Sequence, residues 1–202
     1  MTPHGYASPR IIAHRGASFD APENTVAALR LGFAQGADAG ECDVRMTADG
    51  HAVLMHDADT RRTTGVARLV EATSLAELRA LGVALDTARP RDVGVGLMSF
   101  DRAVTKAARG LFPDLELHQL SEWRAETTAE ELVAEAKTLG VQGLNLDQRF
   151  AIDAGFVAAA REAELTICVW TVDEPSRART LAAAGVDALT TNRPGWLREK
   201  IS

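Results

Sequence analysis

Residues 140–191 read GVQGLNLDQRFAIDAGFVAAAREAELTICVWTVDEPSRARTLAAAGVDALTT, and the order of apolar runs within them decides the fold class. Gly143–Leu146, Leu165–Trp170 and Val186–Leu189 are short and mostly apolar, the pattern of strands covered on both faces. Between them, about 153–163 and 175–184, apolar residues recur at helical spacing. Gly140-Val141 and Gly185-Val186 are helix stops, each followed by the next strand. Strand and helix in strict alternation call for a parallel sheet with helices packed outside it.

The same alternation extends in both directions. A first strand, Arg10–Ala13, breaks at Gly16, and a helix opens after Pro22-Glu23-Asn24, carrying Val26, Leu29, Leu31 and Phe33 as far as Gly36. A second strand runs from about Asp38 to Val44, and the Asp49-Gly50 turn leads into a hairpin arm, Ala52–Met55. Ser74–Leu78 reads as a helix with Thr73 or Ser74 as N-cap. Further strands fall at Val93–Met98 and Leu115–Leu117, and further helices at about 101–110, 128–139 and 194–200. The expectation is an α/β chain of TIM (β/α)8-barrel type with seven parallel strands, one βα unit short between Leu81 and Val93. A doubly wound dinucleotide fold has no support, because no Gly-x-Gly-x-x-Gly follows the first strand. No linker or low-complexity segment interrupts the pattern, so residues 1–202 read as one domain.

Composition narrows the function. At 202 residues and 46% hydrophobic content the chain can bury a core, and two cysteines cannot make a disulfide scaffold. A formal charge of −6 argues against nucleic acid and suits a site that gathers a divalent cation. MTPHGYASPR lacks the apolar centre of a signal peptide, and no apolar run reaches the roughly eighteen residues of a membrane span. Cys42 and Cys168 lie in apolar stretches and read as buried, reduced thiols of a cytoplasmic protein.

The polar residues that suit neither a core nor a solvated face gather at strand ends, where parallel α/β folds place their active sites. His14-Arg15-Gly16 follows the first strand: an imidazole to move a proton, a planar fork for a phosphate, and a backbone open to close approach. On the second strand Glu41 and Asp43 share one face, while Cys42 and Val44 share the other and are expected to pack under helices. Two inward carboxylates call for a bridging cation, and oxygen ligands favour Mg²⁺, Ca²⁺ or Mn²⁺ over zinc. His56-Asp57 closes the hairpin arm and offers a second proton-transfer group beside His14. Glu116 and His118 share a face of a later strand, as do Asn145 and Asp147, without an assigned role. A cation, a guanidinium and two imidazoles together suit phosphoester cleavage.

The ordered set His14-Arg15-Gly16, Pro22-Glu23-Asn24-Thr25, Glu41-Cys42-Asp43, Thr47-Ala48-Asp49-Gly50 and His56-Asp57 strongly resembles the glycerophosphodiester phosphodiesterases. Ser99-Phe100-Asp101, Val169-Trp170-Thr171-Val172 and the closing run from Ala184 to Pro194 fit the same family, so the resemblance covers nearly the whole chain. It implies a TIM barrel that hydrolyses glycerophosphodiesters to sn-glycerol 3-phosphate and an alcohol, through attack of the glycerol 2-hydroxyl and opening of a cyclic phosphate. It also implies a divalent metal, Mg²⁺ or Ca²⁺, on Glu41 and Asp43, the phosphate on Arg15, acid–base roles for His14 and His56, and Trp170 as a pocket wall. The family's Glu-x-Lys of the third strand has no counterpart between Leu81 and Val93, the interval where the strand count falls short. A catalytically impaired relic that binds phosphodiesters and a lysophospholipase D-type enzyme are the competing expectations. The partner expected is the small-molecule substrate, with a homodimer as one way to cover sheet edges left by a missing strand.

Overall fold

The computed structural model of the chain describes residues 8–81 and 95–201. Its strands are β1 (Arg10–Ala13), β2 (Ala39–Gly40), β3 (Val44–Met46), β4 (Ala52–Leu54), β5 (Gly96–Ser99), β6 (Glu116–Ser121), β7 (Gly143–Asp147), β8 (Thr166–Trp170) and β9 (Ala188–Thr191). Its helices are α1 (Val26–Ala34), α2 (Arg61–Thr64), α3 (Leu75–Ala80), α4 (Arg102–Leu111), α5 (Ala129–Leu139), α6 (Ala154–Glu162), α7 (Pro175–Ala184) and α8 (Pro194–Ile201). Seven strands are hydrogen-bonded in the order β2-β1-β9-β8-β7-β6-β5, while β3 and β4 form a separate antiparallel hairpin. The seven parallel strands are those expected from the sequence. The chain falls into two compact units, one holding the described parts of Met1–Ile12, Arg91–Thr191 and Trp196–Ser202, the other those of Ala13–Pro90 and Asn192–Gly195.

In the first unit, β5 to β9 run parallel in unbroken register, for example Leu144 opposite Ile167 and Val169 opposite Leu189. All residues of β7 are buried, which is why its sequence lacks a polar face at the surface. Leu117, Leu144, Leu146, Ile167 and Val169 form one core with Val157 of α6, Leu181 of α7 and Leu197 of α8. The helix ends follow local rules. Thr128 and Glu131 make a reciprocal capping box on α5, Pro175 opens α7, and Gly140 and Gly185 end α5 and α7 in the left-handed conformation. Cys168 is a buried free thiol, as its setting suggests. Strand β6 is longer than its apolar residues indicate, because Gln119 is buried and satisfied by the Thr105 hydroxyl at 3.0 Å.

In the second unit a smaller core of Val53, Met55, Val70 and Leu78 binds the hairpin to the α3 region. Ser74 caps α3 with Glu77 as its capping-box partner, and Asp49 in the hairpin turn accepts from the Leu75 amide at 3.0 Å. The second strand departs from expectation. It is regular only at Ala39–Gly40, and Glu41 to Asp43 form an irregular crossing into β3. The reason lies in the hydrogen bonds. The Glu41 amide still donates to Ala13 at 2.9 Å, but the Asp43 amide turns to the Asn24 side chain, and the Asp43 carbonyl accepts from Met55. The chain thus leaves one ladder for the hairpin within three residues. Helix α1 seats on Gly40, where an added Cβ would lie 2.7 Å from Leu29, and Cys42 and Val44 beyond it are exposed rather than packed under helices. The expected gap between Leu81 and Val93, with its absent Glu-x-Lys, lies outside the described residues. Among the described residues no helix is long and apolar enough to cross a membrane.

Candidate active site

The candidate site lies wholly within the second unit. It starts where β1 ends, because the chain must turn sharply enough to bring His14 and Arg15 beside the Glu41 crossing. Arg15 and Gly16 are both left-handed, with φ of 55° and 83°. At Gly16 only glycine fits, since a Cβ would come within 2.3 Å of the Ala28 carbonyl carbon in α1. Asn24 is left-handed as well, at φ 57°, and its amide donates to the Arg15 carbonyl at 3.0 Å. Non-glycine residues held in this region carry strain that surrounding contacts must compensate. Thr25 then caps α1 by accepting from the Ala28 amide.

Four of the residues singled out in the sequence meet here. The Arg15 amide donates to Glu41 Oε2 at 3.1 Å, and Arg15 Nε lies 3.1 Å from Asp43 Oδ2 as an ion pair. His14 Nε2 lies 4.0 Å from Glu41 Oε2. On its other side, His14 Nδ1 meets Asn192 Oδ1 at 2.8 Å, an oxygen that also accepts from the Ser18 hydroxyl. With Asn192 Oδ1 as acceptor, His14 Nδ1 is the donor, and Nε2 is the ring atom that faces Glu41. Burial, and then the Asp43 charge, raise the Glu41 carboxyl to about 7, with the Arg15 amide and charge offsetting part of the rise. A carboxylate pair under this strain is a donor set that a divalent cation would relieve, although among the described residues no three His, Cys, Asp or Glu side chains converge as ligands.

His56 joins the others indirectly. Its Nδ1 meets Asp57 Oδ1 at 2.8 Å, and Arg62 Nε donates to Asp57 Oδ2 at 2.6 Å. Arg62 also grips Glu23 through both terminal nitrogens, and Glu23 in turn accepts from Arg15 Nη1 at 3.1 Å. Charges of alternating sign therefore run from Asp57, which holds the His56 ring, through Arg62, Glu23 and Arg15 to Asp43. Arg62 foremost, then the Arg15 charge, hold the Glu23 carboxyl below its usual range despite burial. Trp170 belongs to the first unit, where it ends β8, donates to the Asn145 carbonyl and meets Phe100 edge-on with ring centroids 5.6 Å apart.

Sequence reasoning did not assign Glu23, Asn24, Arg62 or Asn192 to the site. Glu23, Asn24 and Asn192 lie inside the quoted motifs, which was the available signal; Arg62 lies in none.

The family model for the glycerophosphoryl diester phosphodiesterase family matches residues 14–92 and 83–196. A probable glycerophosphodiester phosphodiesterase 1 of Mycobacterium tuberculosis is 50% identical over 84 residues, covering 41% of this chain and 31% of that protein. Glycerophosphodiester phosphodiesterase 1 of Bos taurus is 56% identical over 63 residues, covering 31% of this chain and 19% of that one. The chain thus spans about a third or less of the length of these curated relatives. Among solved structures, an Oleispira antarctica phosphodiesterase in complex with sn-glycerol 3-phosphate superposes with a TM-score of 0.81 at 23% identity, covering 96% of this chain and 97% of that one. A Thermotoga maritima glycerophosphodiester phosphodiesterase gives 0.79 at 20% identity, with 96% and 99% covered. At those identities the fold is what is shared.

Proposed function

Since the chain belongs to the glycerophosphoryl diester phosphodiesterase family, we propose that it hydrolyses glycerophosphodiesters to sn-glycerol 3-phosphate and an alcohol, with a divalent metal ion and histidine acid–base chemistry. The observation that carries this reading is the convergence of Arg15, Glu41, Asp43 and His14 at the end of β1.

In this reading Arg15 holds the phosphate. Glu23 fixes one side of its guanidinium, leaving the Asp43 side to exchange its ion pair for a phosphate oxygen. Glu41 and Asp43 would hold the metal ion, which when bound supplies Lewis-acid neutralisation of phosphate charge. His14 takes or gives a proton at Nε2, because Nδ1 is held by Asn192. His56 acts likewise at Nε2, with Asp57 fixing its other nitrogen. Within the first unit, Trp170 meets Phe100 edge-on, and its role as a substrate-pocket residue rests on the family resemblance.

The test is release of sn-glycerol 3-phosphate from glycerophosphoethanolamine with Mg²⁺, with Ca²⁺ and with EDTA, using His56→Ala as control. Metal-dependent release lost in the variant supports the reading. A folded chain inactive with every ion supports a second one, a phosphodiester-binding relic.

A further inference from the structure

Arg62 reaches both ends of the candidate site yet takes no part in the chemistry proposed above. It stands in α2, a helix of four residues none of which is buried, so apolar packing does not explain its place. The turn around it is nevertheless fixed by its own hydrogen bonds. Thr60, which is buried, donates its hydroxyl to the Val66 carbonyl at 2.6 Å and its amide to the Arg68 carbonyl at 3.1 Å, and Asp59 bridges to Leu69. The Thr64 hydroxyl closes back onto the Thr60 carbonyl at 2.9 Å. A loop closed on itself thus holds the Arg62 backbone, and the side chain reaches from it to Glu23 and Asp57.

We propose, resting on the phosphodiesterase reading above, that Arg62 is a positioning residue: one guanidinium sets the Arg15 fork through Glu23 and the His56 ring through Asp57. Glu23 Oε1 is the shared atom on one side, accepting from Arg62 Nη2 at 2.8 Å and from Arg15 Nη1 at 3.1 Å. On the other side Asp57 divides its oxygens, Oδ2 to Arg62 Nε and Oδ1 to His56 Nδ1. Arg62 is the foremost influence holding both carboxyls below their usual range, so both stay ionised as struts. With its side chain 49% exposed, Arg62 adds little to stability through these pairs, and what it supplies is geometry. A planar fork addresses two carboxylates at fixed angles, whereas a lysine ammonium carries the same charge without the plane.

A purely structural residue would not give the kinetic split that follows. Glu23→Gln loosens only the Arg15 side and is expected to raise KM for glycerophosphoethanolamine with kcat nearly kept. Asp57→Asn loosens only the His56 side and is expected to lower kcat with KM nearly kept. Arg62→Ala should do both, each by about tenfold. Arg62→Lys keeps the charge and is expected to lose as much as Arg62→Ala. Arg61→Ala removes a charge from the same helix and should stay within about twofold of wild type.

The experiment measures these constants with Mg²⁺ on the full chain and its variants, each checked for folding by its melting temperature. On the metal-free chain it also reads the His56 tautomer by nitrogen NMR of the imidazole, with His56→Gln to assign the signal. Both Arg62 variants are expected to shift the ring away from its Nδ1–H form, and Arg62→Lys serves where Arg62→Ala fails to fold. An active wild type overturns the proposal if the folded Arg62 variants keep full activity, lose in only one of the two constants, or lose no more than Arg61→Ala. A wild type inactive under every condition fails the phosphodiesterase reading instead, and the His56 signal then decides: a Nδ1–H form lost in the Arg62 variants upholds the positioning role, and an unchanged one overturns it.

Discussion

Asn24 and Asp43 hold each other at both ends of the Asn24 amide: its Nδ2 donates to Asp43 Oδ2 at 3.0 Å, and its Oδ1 accepts from the Asp43 amide at 2.9 Å. One side chain thus aims a candidate metal-binding carboxylate and draws the backbone off the β1 ladder. Asn24→Ala is expected to cost about 1–3 kcal/mol in urea unfolding. Asn24→Asp is expected to cost at least as much near neutral pH, since it sets two carboxylates together. The exchange Asn24→Asp with Asp43→Asn restores one donor and one acceptor and should recover most of the loss. Failure to recover would remove this pair as the link.

His56→Ala is expected to lower turnover by about 10²–10⁴-fold while leaving Mg²⁺ affinity, measured calorimetrically, unchanged. Asp57→Asn should have a smaller effect, because it loosens the ring without removing it. Equal losses in the two variants would show that His56 acts only as part of the charge chain to Arg15.

Replacing Glu41 separates stability from function. Burial and the neighbouring Asp43 make its ionised form unfavourable, so Glu41→Gln should raise the melting temperature of the metal-free protein and abolish metal-dependent activity. Asp43→Ala should weaken metal binding and turnover together. An unchanged metal affinity in Asp43→Ala would displace that residue from the metal-binding role.

Asp49 gives the fold an acid limit at the hairpin. Its carboxylate, held by the Thr47 hydroxyl and then the Leu75 amide, is depressed to about 2 from an ordinary value of 3.8. A depressed acid stabilises the folded state above its unfolded value, and that contribution is lost as pH falls from about 4 toward 2. Asp49→Asn should therefore flatten the loss of stability over that interval in acid titrations followed by circular dichroism. A titration identical to wild type would contradict the role.

How much of this could be read from the sequence depended on whether the deciding interaction was local. Helix ends at Gly140, Gly185 and Ser74 were legible, because caps are set within a few residues. His14, Arg15, Glu41 and Asp43 were legible as unusual polar residues at strand ends. The role of Arg62 was not, since it lies in no motif and its partner Glu23 is 39 positions away; Glu23 and Asn192 stand in quoted motifs, but pairings up to 178 positions apart are set by the fold. The irregular crossing at Cys42 escaped for the same reason: alternation of side chains persists there, but the hydrogen bonds that end the strand come from Asn24.

The seat of Gly16 on Ala28 has a consequence for how the site keeps its aim. With no side chain between them, the turn bearing His14 and Arg15 rests directly on the peptide backbone of α1. A small slide of that helix would pass undamped into the guanidinium and imidazole positions. Substitutions on the outer side of α1 are therefore expected to shift those two side chains, and a search for altered specificity has reason to begin there.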